Sequence, residues 1–379
     1  MSLLLEPPSV FVVRDEYWIC TLSGAECTMG AEVGGRTHWD HSGGTLCSRR
    51  TLGDGVFLHM ARVPQAALDA ARCYTLRLRR IVERKPYFTE CGGETAETFG
   101  FRPVSGGRPV RIVNLADAHS LVDEPVAAAR ACFGGAPDLL ILNGDIPDHS
   151  GDAANFASVY RIAGRVTGGA APCVFARGNH DMRGCSAERL EAFVPSDGGR
   201  PYFVFRAGPV GGIVLDTAED KPDDHPEYGH TICAHDFRLE EDAFLDGALA
   251  DPLFRDAALK LVVSHKPLAH EQKPPFDIEK DLYRSWCARL RAAGPHLLLT
   301  GHLHECFVEK PGGAHDSYGQ PCLHVCSSRL RRNPPRAFVC GAIAVRLRHG
   351  AAPSVTVRFV DHEGVSELAY DGPAEPCHS

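Results

Sequence analysis

Apolar residues fall along this chain in two rhythms. Up to about residue 100 they form short β-like runs. Ser9-Val10-Phe11-Val12-Val13, Tyr17-Trp18-Ile19-Cys20 and Val56-Phe57-Leu58-His59-Met60 are strand-like. In Tyr74-Thr75-Leu76-Arg77-Leu78-Arg79 apolar and polar residues alternate, the period of a half-buried strand. Residues 30–55 are rich in turn formers and include Gly43-Gly44. Short strands separated by Gly and Pro predict a small all-β sandwich. The stretch from Thr89 to Pro109 carries Gly92, Gly93, Gly106 and Gly107 and reads as a linker. Residues 1–105 are therefore expected to form an N-terminal β-sandwich-like domain, and residues 106–379 a second domain.

From Val110 strands and helices alternate. Arg111–Leu115, Asp138–Leu142 and Cys173–Ala176 are apolar strand runs. Helical patterns lie between them, from Pro125 to Ala131 and from Ala154 to Val166. This βαβαβ order implies a largely parallel sheet. Further strands are predicted at Tyr202–Phe205, Gly212–Leu215, Leu259–Ser264 and His296–Thr300, and helices at Leu239–Leu249 and Ile278–Ala293. Alternating β patterns return at Ala342–Leu347 and Val355–Val360. The expected class is α/β, a two-sheet αββα sandwich.

Composition narrows the function. With 379 residues, 44% apolar and 23% charged, the chain can bury a sizeable core. A formal charge of −8 argues against nucleic acid or an anionic membrane as partner. It does not exclude a phosphate substrate, because bound divalent cations would dominate the local field. The start, Met1 to Pro8, has no basic export signal, and no apolar run reaches the roughly 18 residues that span a membrane. The fifteen cysteines then read as reduced thiols, and a cytoplasmic location is expected. Cys322 and Cys326 sit in an apolar run and read as core thiols.

Five short segments carry the chemistry. They are Asp117-Ala118-His119, Gly144-Asp145, Gly178-Asn179-His180-Asp181, His265 and Gly301-His302-Leu303-His304. Each follows an apolar, strand-like run. Open α/β sheets bind ligands at the carboxyl ends of their strands, so these segments converge on one rim. Each supplies an oxygen or imidazole donor suited to Mn²⁺, Fe or Zn²⁺. Glycine before a ligand lets the backbone approach without a Cβ clash. If residues 301–304 are extended, His302 and His304 point to the same side. A carboxylate such as Asp145 can bridge two cations. Singly these motifs are weak, since Asp-x-His is a common tripeptide and Gly-Asp is usually a turn. Together, in order, they mark a two-metal hydrolase.

That order resembles the calcineurin-like metallophosphoesterases over residues 109–362. The resemblance implies two divalent ions, Mn²⁺ favoured and Fe or Zn²⁺ possible. The first would take Asp117, His119, Asp145 and His304. The second would share Asp145 and add Asn179, His265 and His302. His180 matches the family's general acid, and Asp148 the carboxylate that orients it in phosphoprotein-phosphatase-like members. A metal-bridging hydroxide would attack phosphorus, with the cations about 3.5–4 Å apart.

A β-sandwich before the catalytic domain is similar to purple acid phosphatases. Those carry a Tyr where this chain has Asp148 and a non-histidine residue at the position of His119, so no tyrosinate chromophore is implied. Arg183 is a candidate phosphate contact, against a solvated loop charge. The polar stretch from Glu219 to His230 is a candidate lid, with His225, Tyr228 and His230 as substrate contacts, against a plain surface loop. The expected partner is a small phosphate ester, a monoester or a diester. The rival readings are a two-metal hydrolase of another bond, such as a pyrophosphate, and a non-catalytic scaffold on the same fold. Oligomeric state is not readable from the sequence.

Overall fold

A computed structural model describes residues 3–330, 337–348 and 350–375. Its centre is a nine-stranded sheet. The order is Ser366–Pro373, Ala351–Asp361, Val339–Arg348, Val110–Leu115, Leu139–Asn143, Pro172–Ala176, Ser9–Val13, Glu16–Ser23 and Phe57–Pro64. The four strands from Val110–Leu115 to Ser9–Val13 are parallel. A six-stranded sheet follows, in the order Phe203–Ala207, Val210–Leu215, Leu259–Ser264, Leu297–Thr300, Leu323–Cys326 and Phe307–Glu309.

The two sheets pack face to face, as side-chain alternation shows. Leu261 and Val263 join the core shared with the nine-stranded sheet, while Val262 joins Leu245, Trp286 and Leu290 of the outer helices. Those helices are Ala234–Ala250 and Lys280–Ala293. On the far side, helices Asp123–Ala131 and Ala157–Thr167 supply Val126, Val159 and Ile162 to the core. Gly168, left-handed at φ 61°, ends the second of these, as a glycine C-cap does. The expected αββα sandwich is thus present. Buried Asn114 ties its two sheets, donating to the Thr300 carbonyl at 3.0 Å and to Ser327 Oγ at 2.7 Å.

The N-terminal region differs from expectation in two ways. The strands Ser9–Val13, Glu16–Ser23 and Phe57–Pro64 do not belong to a separate sandwich. Val10 pairs with Pro172 and Phe11 with Cys173, so these strands extend the central sheet. A second sheet, Arg36–Trp39, Cys27–Val33, Cys73–Glu83 and Glu90–Gly100, is all-β. The presumed linker contains its edge strand, Glu90–Gly100, paired antiparallel with Cys73–Glu83. That strand is exposed along nearly its whole length, so no apolar alternation marked it.

Cys322 and Cys326 are fully buried. Among the described residues no helix is long and apolar enough to cross a membrane.

Candidate metal centre

Five strands deliver the candidate ligands to one rim. Asp117 follows Val110–Leu115, Asp145 follows Leu139–Asn143 and Asn179 follows Pro172–Ala176. From the second sheet, His265 follows Leu259–Ser264 directly, and His302 lies two residues past Leu297–Thr300. Five of the seven have left-handed backbones: Asp117 (φ 58°), His119 (45°), Asp145 (52°), His302 (69°) and His304 (56°). Such strain in residues other than glycine clusters at functional sites. It also means that residues 301–304 turn rather than extend, and both histidines still reach the rim. Gly144 is itself left-handed at φ 81°, and a Cβ there would lie 2.4 Å from His265 Nδ1.

Asp117 Oδ1 is the meeting point. The Nε2 atoms of His265 and His304 lie 3.9 Å from it, and that of His119 4.0 Å. His265 Nε2 also lies 3.2 Å from Asp145 Oδ2. Ligand atoms of Asp117, His119 and His304 fall within 4.8 Å of one another, as do those of Asp145, His265 and His302. Asn179 Oδ1 joins the second set, 3.1 Å from His302 Nδ1.

Whether these residues fit metal ions can be tested on their hydrogen bonds. Asp117 Oδ1 is buried without a hydrogen-bond partner, and buried His265 Nε2 faces Asp145 Oδ2 at 3.2 Å without a well-formed hydrogen bond. Buried polar atoms are rarely left so, and a cation between them would satisfy both. The surrounding groups aim the lone pairs inward. His265 Nδ1–H donates to the Asn143 carbonyl and His304 Nδ1–H to the Arg329 carbonyl, each at 2.7 Å, which leaves Nε2 as the donor to a metal. Ser328 Oγ and the His302 main-chain N–H both donate to Asp117 Oδ2, which leaves Oδ1 free for a cation. Asp181, outside the expected site, accepts from the N–H groups of Gly178 and Asp145 and so ties two ligand loops.

Electrostatics agree. Burial opposes ionisation of Asp145, but the His265 imidazole beside it wins and holds the carboxyl well below the usual range. Burial also pushes His265 down, and the Asp145 charge overrides it and lifts the imidazole to about 10. The space they share therefore favours positive charge. Burial keeps His119 and His302 neutral, the form that ligates.

A family model described as Calcineurin-like phosphoesterase matches residues 110–306, about half of the chain. The chain belongs to that family. Its fold is similar to a purple acid phosphatase from yellow lupin (Lupinus luteus) seeds. The two share 13% identity and a TM-score of 0.57 over 96% of this chain and 73% of that one. A structure of PhoD gives 12% identity and a TM-score of 0.50 over 98% and 94%. A dimetal phosphatase from Danio rerio gives 13% and 0.45 over 71% and 99%. No curated protein matches the chain. Family and donor set together imply two divalent metal ions in this calcineurin-like phosphoesterase.

Around the candidate ligands of this phosphoesterase the contacts partly depart from expectation. His180 lies at the rim, its ring edge-on to His119 with centroids 4.6 Å apart. The Asp148 carboxylate, more than half exposed, turns to His119, with Oδ1 3.2 Å from Nδ1. His180 is held instead by the Asp148 main-chain carbonyl, 2.8 Å from its Nδ1. The carboxylate was the visible feature in the sequence, but the loop presents its backbone to His180. Arg183 is not a solvated charge. It pairs with buried Glu219, Nε to Oε1 at 2.7 Å, and its Nη1 lies 3.0 Å from His180 Nε2.

The loop expected to be a lid is buried at its start and at Tyr228 and exposed at Pro222, Asp224, Pro226, Glu227, Gly229 and His230. Glu219, Asp220, Lys221 and Tyr228 are all buried. The Tyr228 hydroxyl turns back into its own loop, 3.1 Å from Glu219 Oε2 and 3.2 Å from Asp220 Oδ1. His225 caps the short turn Pro226–Tyr228, its Nδ1 accepting from the Glu227 N–H. His230 is exposed with φ 60°. Asp220 reaches the centre from this loop, with Oδ2 3.8 Å from His302 Nε2. No motif spacing pointed to Glu219 or Asp220. Their only signal was two adjacent acids just after a predicted strand.

Proposed function

We propose that this phosphoesterase hydrolyses small phosphate esters at a centre of two divalent cations, with Asp145 serving both. Family membership makes it a hydrolase of phosphate esters. One observation carries the finer reading: seven nitrogen and oxygen donors converge, with Asp117 Oδ1 buried and lacking a hydrogen-bond partner. Asp117, His119, Asp145 and His304 would hold one ion, and Asp145, Asn179, His265 and His302 the other. The absence of thiolate from the set suits Mn²⁺, Fe²⁺ or Zn²⁺, and we favour Mn²⁺. Cations bound there supply Lewis-acid activation of the phosphoryl group and of water.

The protein's own part in the reaction falls to His180. A carbonyl oxygen only accepts, so the 2.8 Å contact with Asp148 places a proton on His180 Nδ1. Nε2 is then the nitrogen left to exchange a proton with the leaving oxygen, once it has taken one up. Arg183 Nη1, beside Nε2, is placed to meet the same oxygen or a phosphate oxygen. Metal analysis followed by paired monoester and diester assays tests the reading. Chelation should abolish turnover, and Mn²⁺ should restore it. A protein fully active after verified metal removal overturns the proposal. His180→Ala should keep both ions and lose about 10²–10⁴-fold in rate. The loss should be smaller for nitrophenyl than for alkyl esters, because nitrophenolate leaves without a proton.

A further inference from the structure

We propose that Glu219 is a positioning residue for His180, acting through Arg183. Glu219 is 0% exposed, on the loop that leaves the strand Val210–Leu215. Its two oxygens take the Arg183 fork, Nε at 2.7 Å and Nη2 at 3.0 Å. A two-point contact of this kind fixes the guanidinium plane, not merely its position. Other groups hold both partners. The Arg183 carbonyl accepts from the Ser150 N–H at 2.7 Å. The Tyr228 hydroxyl meets Glu219 Oε2, and the Glu219 carbonyl accepts from Arg238 Nη2.

With its plane fixed, Arg183 aims Nη1 at His180 Nε2, 3.0 Å away. A guanidinium only donates, so Nε2 accepts there. The carbonyl of Asp148 only accepts, so Nδ1 carries the proton. In the substrate-free protein both ring nitrogens are thereby tied, which gives His180 one orientation and one tautomer; uptake of the proton that Nε2 passes to the leaving oxygen breaks the Arg183 contact. Glu219 itself is two residues removed from the reacting atoms: it sets the arginine, and the arginine sets the histidine.

An ordinary structural ion pair would not control a tautomer, which supplies the test. In histidine-labelled protein without metal, ¹⁵N NMR of the imidazole reports which nitrogen is protonated, with His180→Ala identifying the signal. Wild type should show the single Nδ1–H tautomer. Glu219→Gln, which keeps an acceptor but loses the charge, should show a mixture. So should Arg183→Lys, whose ammonium cannot span both Glu219 and His180. Arg183→Lys leaves a cation beside Glu219, so it keeps the test available if Glu219→Gln fails to fold, and circular dichroism checks both. A single unchanged tautomer in the folded variants overturns the proposal.

A second arm uses the metal-loaded enzyme and rests on the role proposed for His180. Glu219→Gln should lower kcat for an alkyl phosphate about 10–100-fold, the scale of a misplaced reacting group. In a His180→Ala background it should cost clearly less than in wild type, the remainder being what Arg183 contributes at the phosphate itself. Additive losses overturn the inference. If His180→Ala leaves the rate untouched while the tautomer still follows Glu219, the functional reading fails and the positioning role stands.

Discussion

A single methyl group at Gly178 tests the geometry of the centre. The backbone of Gly178 is one that alanine adopts, so Gly178→Ala adds a Cβ without dihedral strain. That Cβ would lie 2.2 Å from Asp145 Oδ1 and 2.4 Å from the Asp145 nitrogen. The nitrogen is backbone, and Oδ1 is held in place by the His180 main-chain N–H at 2.9 Å. Asp145 must therefore retreat by about 1 Å, the size of an overpacking shift that costs about 1–3 kcal/mol. A misplacement of about 1 Å in an active site costs on the order of 10²-fold in rate. The Gly178 N–H also donates to Asp181 Oδ2 at 2.7 Å, so the shift spreads to the tie between two ligand loops. Steady-state rates, bound metal per chain and urea unfolding measure the three effects. Gly247→Ala is the control. It lies in the helix Ala234–Ala250 with nothing within 4 Å of the added atom. It should stabilise by about 0.5–1 kcal/mol and leave the rate alone. Wild-type rate and metal content in Gly178→Ala would refute the placement of Asp145 as a central ligand.

Asp145→Asn keeps an acceptor for the His180 main-chain N–H but loses the charge facing His265. It should cost more bound metal than His119→Ala, and equal stoichiometry with wild type contradicts the bridging role. Asp220→Asn removes the carboxylate behind His302 and should weaken one of two metal affinities about 10–100-fold, read by calorimetric titration. Unchanged affinities for both ions would show that Asp220 does not support His302. Burial holds the His59 imidazole down at about 4, against about 6.5 unfolded, so the unfolded chain binds the extra proton. Stability should fall as pH drops from about 6.5 to about 4, by up to ~1.4 kcal/mol per pH unit from this group. His59→Gln should flatten that slope of urea midpoint against pH, and an identical slope rules His59 out as the source.

The convergence of the candidate ligands on one rim was legible because each segment that carries them follows an apolar run, and a strand end is a local feature. Leu259–Ser264 was bounded exactly, since five of its six residues are fully buried and its pattern was unbroken. What the sequence hid depends on pairings distant along the chain. Nothing in Ser9–Val13 indicates that Phe11 will pair with Cys173. Glu90–Gly100 was hidden for the opposite reason: an edge strand exposed on both faces carries no apolar signature, and Gly92 and Gly93 imitate a turn. Side-chain partners were the least readable. Asp148 had the right spacing to orient His180, yet a turn of the loop assigns its carbonyl to His180 and its carboxylate to His119.

The hidden strand pairing bears on the site. Pro172–Ala176 leads into Asn179, His180 and Arg183, and its neighbours in the sheet are Leu139–Asn143 and Ser9–Val13. The first of these leads to Asp145, while the second comes from the extreme N-terminal part of the chain. Every residue of Pro172–Ala176 and of Ser9–Val13 is buried. Tyr160 packs edge-on against Phe11 and also donates to the Phe193 carbonyl. The first strand thus covers what would otherwise be an open edge beside the strand that presents His180. A central strand holds its register through partners on both sides, and register decides which way each residue beyond its end points. The N-terminal strands are therefore part of the scaffold that aims His180, the proposed general acid, and they are built into the central sheet and not into a separate module.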